Sequence, residues 1–212
     1  MPEKLRVAVL ASGRGTDFQS IIDGIKRGDV DAEIVLLLTN NPEAGAIERA
    51  KANGIPVAVI PNKAYRTRLE HDRAVRGKLD EAKPGLVVLA GYMRVIHDKD
   101  FLKAYHGKMI NIHPSLLPAF ENTYAPHTQQ LTFDKGVKVS GLTVHFVGDV
   151  DQGEIVYQEA VDVSDCATVE ALAERLLERE HAALPKVVQM FAQGSFCIQG
   201  RRVAYVPRQA VR

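Results

Sequence analysis

The stretch LRVAVLASGRGTDFQSIIDGI, residues 5–25, decides the fold. Its first seven residues form an almost continuous apolar run, which is typical of a strand covered on both faces. Gly13 and Gly15 then allow a tight turn. Apolar side chains at helical spacing follow from Phe18 to Ile25. A buried strand, a glycine turn and an amphipathic helix together predict the first β-α unit of a parallel sheet.

The same alternation continues through the N-terminal half. Further apolar runs rich in Val, Ile and Leu predict strands at residues 33–39, 56–60, 86–92 and 109–112. Between them, helices are predicted at residues 46–54 and 64–82, the first of which ends on a glycine. This rhythm predicts an α/β fold, with a Rossmann-like, mostly parallel central sheet and helices on both faces.

The pattern changes after residue 138. Two strand candidates, 139–147 and 154–163, flank the loop GDVDQG and predict an antiparallel C-terminal strand pair. A helix is predicted over 168–193, with a kink at Pro185, and a polar tail follows. Because no Pro- or Ser-rich linker interrupts the chain, we expect one domain over residues 1–212. Its nucleotide-type half covers 1–108, and its catalytic and folate half covers 109–212.

Composition narrows the classes of partner. The chain has 212 residues and a formal net charge of +1, so no overall basic field attracts nucleic acid or an anionic membrane. The first apolar run is too short to span a membrane and is interpreted as a strand, not a signal peptide. Cys166 and Cys197 have no metal or redox spacing. We expect a cytoplasmic protein without nucleic acid or membrane partners.

The glycine turn is a candidate anion site. Backbone N–H groups at the start of a helix can hold a phosphate. A dinucleotide fingerprint would place a third glycine where Phe18 stands, and no acidic residue closes the next strand, so a nicotinamide cofactor is disfavoured. A single phosphate and a ligand-free tight turn are equally compatible with this loop. The carboxylate of Asp17 would repel phosphate unless its side chain turns away.

The sequence NIHPSLLP, residues 111–118, places polar side chains at the end of the fifth strand. The alternation of a strand puts Asn111 and His113 on the same side, at the sheet edge where α/β proteins bind ligands. An amide donor beside an imidazole suits a reaction in which an oxyanion forms and a nitrogen needs a proton. A histidine bonded to the backbone is the simpler interpretation of His113 taken alone.

The loop GDVDQG offers two carboxylates, Asp149 and Asp151, either of which could face His113. Turn chemistry is the alternative explanation of both aspartates. His145, between two apolar residues, could simply be a satisfied histidine of the sheet. A zinc site from His113, His145 and Asp151 lacks ligand spacing, so no metal is expected.

In the last helix, Glu180 falls on an apolar stripe, four residues from both Leu176 and Leu184. A buried carboxylate is costly without a partner. Either Glu180 pairs with Arg179 or Arg175 at the edge of the stripe, or it is held for a cationic substrate group. The sequence leaves these two interpretations equal.

Taken in order, six motifs resemble the glycinamide ribonucleotide formyltransferases, folate-dependent enzymes of purine biosynthesis, over nearly the whole chain. They are SGRGTDFQSIID, LAGYMRVI, NIHPSLLP, GVKVSGLTVHFV, VDQG and EREHAALP. The resemblance implies the formyltransferase fold. It also implies transfer of a formyl group from the cosubstrate 10-formyltetrahydrofolate to the amine of glycinamide ribonucleotide.

The resemblance also implies roles for residues that match the family motifs. The catalytic residues would be Asn111, His113 and Asp151, which favours Asp151 over Asp149. The substrate phosphate would bind at Gly15, Thr16 and Asp17, and the substrate amine at Glu180. Folate would bind at Arg68, Met93, Arg94, Val95, Ile96 and Asn111. In the implied mechanism the amine attacks the formyl carbon, Asn111 and protonated His113 stabilise the oxyanion, and Asp151 holds the imidazolium. A homodimer is compatible with this assignment.

The chain departs from the family pattern at two places. Asp17 stands where the family usually has Asn, which leaves the backbone part of the phosphate contact. After Pro118, the segment AFENTYAPHTQQ lacks the usual F-x-G turn and is longer, so a changed lid or a changed substrate preference is open.

Other functions are compatible with parts of the pattern. Related formyltetrahydrofolate hydrolases usually carry an N-terminal regulatory domain, and methionyl-tRNA formyltransferases carry a C-terminal RNA-binding domain. A non-catalytic nucleotide-binding relative would not need Asn111, His113 and Asp151 together. The transferase is therefore the favoured interpretation.

Overall fold

The computed structural model describes residues 3–148 and 150–208. Nine strands lie within them: β1 Leu5–Leu10, β2 Ala32–Thr39, β3 Val57–Val59, β4 Leu86–Leu89, β5 Met109–His113, β6 Val139–Phe146, β7 Ile155–Asp162, β8 Gly194–Gln199 and β9 Arg202–Pro207. The α-helices are α1 Thr16–Arg27, α2 Ala46–Ala52, α3 Arg68–Ala82, α4 Lys99–Ala104, α5 His127–Asp134 and α6 Val169–Gln193. A short 3₁₀ helix spans Asn62–Ala64.

The first seven strands form one sheet in the order β3-β2-β1-β4-β5-β6-β7. Strands β1 to β5 pair in parallel, whereas β6 pairs antiparallel with both β5 and β7. This confirms the predicted mostly parallel sheet, its antiparallel C-terminal pair and its helices. The sheet is continuous across residues 108 and 109, because β4 on one side of that boundary pairs with β5 on the other.

Alternate residues of the central strands pack into two apolar layers. In β1, Val7 and Val9 belong to the layer that also contains residues of α1 and α6. Ala8 and Leu10 belong to the opposite layer, with residues of α3 and α4. Phe18 in the first layer and Phe101 in the second are fully buried, and each such burial contributes roughly 1.5–3 kcal/mol to folding. The continuous apolar run of β1 therefore arises because both faces are covered.

Local signals set several boundaries. The predicted helix over 64–82 begins later, at Arg68, because Thr67 and Glu70 form a capping box. β4 ends at Leu89, three residues before the predicted end of its apolar run, because residues 90–98 leave the sheet as a loop. α6 continues through Pro185, so the proline does not end the helix.

The predicted polar tail is wrong. Residues 194–207 form the β8–β9 hairpin, which turns at Gly200. Alternate residues make one face of this hairpin apolar: Phe196, Ile198 and Val203 pack against the core. The sequence has this period-two pattern, but the polar residues between the apolar ones led to the prediction of a tail.

The sheet places the ends of β4 and β5 at one edge, beside the loop that follows β6. This edge is where the sequence predicted a site. Among the described residues, no helix is both long enough and apolar enough to cross a membrane.

Candidate active site

A cavity of about 620 Å³ opens at the carboxyl ends of β4 and β5. Its lining includes all three predicted catalytic residues, the four consecutive predicted folate residues and both acidic residues singled out near the substrate, namely Asn111, His113, Asp151, Met93, Arg94, Val95, Ile96, Asp17 and Glu180. The fold thus brings together residues that lie more than 160 positions apart in the sequence.

Asn111 is oriented by His145 on the neighbouring strand. The antiparallel register of β5 and β6 sets Asn111 opposite His145. The His145 Nδ1 lies 2.9 Å from the Phe146 carbonyl oxygen, and its Nε2 lies 3.1 Å from the Asn111 Nδ2. A carbonyl oxygen only accepts, so Nδ1 carries the proton and Nε2 accepts from the amide. One Nδ2 hydrogen of Asn111 then remains available to the cavity.

Burial lowers the pKa of His145, despite opposing effects of the Phe146 carbonyl and Asp151. The ring is therefore neutral near pH 7, which is the form that the two hydrogen bonds require. His145 is consequently a structural support for Asn111.

His113 faces Asp151 across the cavity. The His113 Nδ1 and the Asp151 Oδ1 are 3.5 Å apart, a separation longer than a normal hydrogen bond, and they form an ion pair only when the ring is protonated. The His113 side chain is only 3 % exposed. Its Nε2 is buried and has no hydrogen-bond partner among the described residues. His113 lines the cavity, and Nε2 is the ring nitrogen that does not face Asp151, so it is the atom left to meet a substrate.

Asp151 is held as a carboxylate by its neighbours. Burial acts to raise its pKa, but His113, the Asn122 N–H and His145 together hold that pKa below its usual value. The Asn122 N–H donates to Asp151 Oδ2 at 2.8 Å. Negative charge is therefore stable beside the His113 ring, as a paired imidazolium needs. Asp149, the alternative to Asp151, lies outside the described residues.

A small network fixes the backbone after His113. Thr143 Oγ1 donates to the Ser115 carbonyl and accepts from the Leu117 N–H. Gln158 Nε2 donates to both Thr143 Oγ1 and the Leu117 carbonyl. This network holds NIHPSLLP against β6 and β7, and so positions the His113 ring at the cavity floor.

The unusual segment after Pro118 forms part of the cavity wall through Asn122, Thr123, Tyr124 and Ala125. Phe120 and Asn122 adopt left-handed backbone conformations, with φ of 59° and 60°. Thr123 Oγ1 bonds to the Phe120 carbonyl and to Thr128 Oγ1. Tyr124 is 60 % exposed. Thr123 thus connects the segment to α5, and Asn122 connects it to Asp151, one of the predicted catalytic residues.

The predicted folate segment is anchored at both ends. The Met93 N–H donates to Ser12 Oγ, and the buried Asp72 carboxylate accepts the N–H groups of His97 and Asp98. Between these anchors, Met93 and Val95 are about half exposed at the cavity, with exposures of 50 % and 44 %. The segment therefore offers a fixed, largely apolar wall.

The two arginines predicted for folate differ in position. Arg94 lines the cavity, and its Nε is buried without a hydrogen-bond partner among the described residues. Arg68 is exposed at the start of α3, outside the cavity lining, where its guanidinium lies 3.2 Å from His97 Nε2. Only Arg94 is brought directly to the cavity.

The glycine turn has the geometry of an anion loop. Gly15 precedes α1 with φ of 70°, and a Cβ there would lie 2.7 Å from the Cβ of Ala46. The following N–H groups of the first helical turn have no carbonyl acceptor within the helix. Thr16 lines a second cavity of about 270 Å³, shared with Arg49 and His181, and lies outside the lining of the larger one.

Asp17 on α1 and Glu180 on α6 both line the main cavity. Burial raises the pKa of Asp17 to about 6. Burial first, and Asp17 second, raise the pKa of Glu180 well above its usual value. Arg179 instead pairs with Glu159, and Arg175 with Asp165. The interpretation of Glu180 as the partner of either arginine is therefore wrong.

A zinc site at His113, His145 and Asp151 is disfavoured for a physical reason. The three side chains do converge, with His145 Nε2 3.8 Å from Asp151 Oδ1. Both His145 nitrogens, however, are already engaged with Phe146 and Asn111. Residues 3–148 and 150–208 contain no group of three or more ligands arranged to hold a metal.

Sequence reasoning missed the supporting role of His145 and the contact from Asn122. The first depends on the register of β5 and β6, which sets Asn111 opposite His145. The second depends on a backbone N–H in a left-handed turn, for which no side-chain pattern gives a signal.

An imidazole beside a carboxylate and an oriented amide can donate a proton and stabilise an oxyanion, which is chemistry that acyl-type group transfer uses. The sequence model for formyl transferase matches residues 5–188. The chain belongs to the formyl transferase family.

Two members of this family resemble the chain over most of their length. The chain is 40% identical over 185 residues to the phosphoribosylglycinamide formyltransferase of Bacillus subtilis, covering 87% of this chain and 93% of that protein. It is 38% identical to the crystal structure of glycinamide ribonucleotide transformylase 1 from Symbiobacterium toebii, with a TM-score of 0.90 and coverage of 97% and 96%.

A third relative is much longer. The chain is 44% identical over 193 residues to the trifunctional purine biosynthetic protein adenosine-3 of Gallus gallus. The match covers 91% of this chain and 19% of that protein. The chain therefore spans a fifth or less of the length of the trifunctional relatives that it matches.

Proposed function

We propose that the protein is a phosphoribosylglycinamide formyltransferase of purine biosynthesis. It transfers the formyl group of 10-formyltetrahydrofolate to the amine of glycinamide ribonucleotide. The products are formylglycinamide ribonucleotide and tetrahydrofolate. The observation that carries this proposal is the convergence of Asn111, His113 and Asp151 in one cavity between a fixed apolar segment and an anion loop.

The cavity suits two substrates that must meet. The wall formed by Met93, Val95 and Ile96 fits the flat rings of a folate, and the Arg94 guanidinium fits an anionic group on it. The free N–H groups at the start of α1 fit the phosphate of a ribonucleotide. Asn111 and His113 lie between these two subsites. Holding both reactants in place can itself supply much of the acceleration.

In this proposal Asn111 and His113 act on the formyl oxygen. 10-Formyltetrahydrofolate supplies the formyl carbon that the substrate amine attacks. The free Nδ2 hydrogen of Asn111 donates to the oxyanion that develops there, and His145 keeps the amide in that orientation. His113, protonated and paired with Asp151, donates from Nε2 and provides the proton for the departing folate nitrogen. Both donors are in place before the reaction, so little reorganisation is needed.

A direct assay tests the proposal. Purified protein is incubated with 10-formyltetrahydrofolate, and release of tetrahydrofolate is followed with and without glycinamide ribonucleotide. We expect release to depend on the ribonucleotide and to match formation of formylglycinamide ribonucleotide one for one. Equal release without the ribonucleotide would identify a hydrolase instead. The absence of any folate turnover would favour a non-catalytic relative.

A further inference from the structure

Glu180 is a buried carboxylate without a protein partner. It is 7 % exposed, it lines the main cavity, and its helix directs the neighbouring Arg179 to Glu159 on β7. Among the described residues, no hydrogen bond or ion pair engages its carboxylate. A buried charge left in this state is costly, so the group either holds a proton or awaits a cation.

Asp17 brings a second carboxyl group to the same place. Its side chain is 13 % exposed, and Oδ1 is buried without a hydrogen-bond partner among the residues described. Its nearest base is His181, whose Nε2 lies 3.7 Å from Oδ1, beyond hydrogen-bond distance. Burial and the charge of Arg49 lower the pKa of His181, so its ring is neutral near pH 7 and does not offset Asp17.

Two buried, unpaired carboxyl groups on facing helices cannot both be charged in an empty cavity. The groups that face them are the neutral ring of His181 on α6 and the guanidinium of Arg49 on α2, while Arg94, His113 and Asp151 line other parts of the main cavity. A raised pKa for both acids is consistent with this arrangement. Both side chains line the main cavity, and residues 3–148 and 150–208 contain no group of three or more ligands arranged to hold a metal, so the cation that suits two carboxyl groups here is an ammonium group.

We propose that Asp17 and Glu180 form a two-carboxylate receptor for the protonated amine of the substrate, and that the pair takes one proton from it before it attacks. This inference rests on the proposed function, since it assumes that glycinamide ribonucleotide is the amine substrate. It adds Asp17, whose position in the anion loop indicated only phosphate contact, to the residues that select the amine.

The proton step balances without another reactant. A primary ammonium has no lone pair and cannot attack the formyl carbon. One N–H bond of the ammonium breaks, an O–H bond forms on a carboxylate of the pair, and the nitrogen keeps the electron pair as a neutral amine. The neutral amine then attacks. A carboxyl group whose pKa is raised towards 7 is a better proton acceptor for this step than an ordinary carboxylate.

Substrate and product provide a test because they share one scaffold and differ in the charge of one nitrogen. Glycinamide ribonucleotide carries an amine that can be protonated, whereas formylglycinamide ribonucleotide carries a neutral formamide on the same scaffold. Calorimetry gives the dissociation constant of each for the wild type, Asp17→Asn and Glu180→Gln, without folate. Glu178→Gln, which removes an exposed charge two residues away on α6, is the control.

We expect Asp17→Asn to weaken amine binding by roughly tenfold or more, since a hydrogen bond to a charged group contributes about 1.5–3 kcal/mol. Binding of the neutral formamide should change less than about twofold, and Glu178→Gln should leave both constants unchanged. The acid limb of kcat/KM for the ribonucleotide should move to lower pH in Asp17→Asn, because Glu180 loses the neighbouring charge that favours its protonation.

Equal weakening of amine and formamide binding, or no weakening of either, would overturn the receptor. If Asp17→Asn does not fold, Glu180→Gln decides by the same comparison. A wild-type protein that transfers no formyl group refutes the proposed function. A wild type that transfers it, but whose Asp17→Asn variant keeps full discrimination between amine and formamide, refutes only this inference.

Discussion

The Asn111 amide donates to Nε2 of His145 at 3.1 Å across the antiparallel pairing of β5 and β6. His145 can accept because its Nδ1 proton is fixed on the Phe146 carbonyl oxygen. One neutral histidine therefore determines which way the amide of Asn111 points. The orientation matters because only an N–H, not the amide oxygen, stabilises an oxyanion.

Replacing His145 with alanine should therefore reduce kcat without comparable loss of folate affinity. The amide of Asn111 would be free to rotate, and a catalytic group misplaced by about 1 Å can cost about a hundredfold in rate. Steady-state kinetics and equilibrium folate binding measure the two effects separately. His106→Ala, at an exposed histidine paired loosely with Glu154, is the control. An unchanged kcat in His145→Ala would contradict the orienting role.

How much of this site the sequence could predict depends on the range of each interaction. Strand alternation alone placed Asn111 and His113 on one face, since it needs only local geometry. The contact to His145 depends on the register of two strands separated by more than 20 residues, which local pattern does not determine. Likewise, Arg179 could reach either Glu180 or β7, and only tertiary packing selects Glu159.

The range of the interactions also decides which elements of the fold can be predicted from the sequence. The long apolar runs of the parallel strands were predicted because burial on both faces leaves an unambiguous pattern. The β8–β9 hairpin was missed because only one of its faces packs against the core. Its exposed residues, among them Arg201 and Arg202 near the turn, give the segment the polar composition of a tail.

His113→Ala should remove most turnover while folate binding is kept. Nε2, which has no hydrogen-bond partner among the described residues, would be lost together with the proton that it donates, and a general acid typically contributes about 10²–10⁴-fold. Single-turnover formyl transfer and a folate binding isotherm give the two quantities. A rate near that of the wild type would exclude His113 as the acid.

Asp151→Asn should move the alkaline limb of the kcat profile to lower pH. Asp151 is a carboxylate across the neutral range, because His113, Asn122 and His145 outweigh its burial and lower its pKa. An amide in its place no longer stabilises a positive charge on His113, so the active protonated form is lost at lower pH. Rates from pH 6 to pH 10 measure the limb, and an identical profile would contradict the pairing.

Gly15→Ala should destabilise the protein, whereas Gly13→Ala should not. Gly15 has φ of 70°, and an added Cβ would lie 2.7 Å from the Cβ of Ala46. The left-handed conformation alone costs a non-glycine residue about 1–2 kcal/mol. No atom lies within 4 Å of a Cβ built on Gly13, which makes it the matched control. Urea unfolding gives both free energies; equal values for the two variants would show that the turn tolerates a side chain.

Asp17→Asn should stabilise the protein near neutral pH and not at pH 4. Burial raises the folded-state pKa of Asp17 from 3.8 to about 6. Between these values the folded state binds more protons than the unfolded state, so stability falls as pH rises through this window. The loss is about 3 kcal/mol when complete.

Asparagine does not ionise, so the Asp17→Asn variant should keep its free energy of unfolding over this pH range. The difference in unfolding free energy between Asp17→Asn and the wild type should therefore be small at pH 4 and grow until about pH 7. Urea unfolding at several pH values, without ligand, measures it, with Glu178→Gln as the control. A difference independent of pH would show that Asp17 is already charged and compensated in the folded protein. The cavity would then have no unpaired carboxylate to offer an amine.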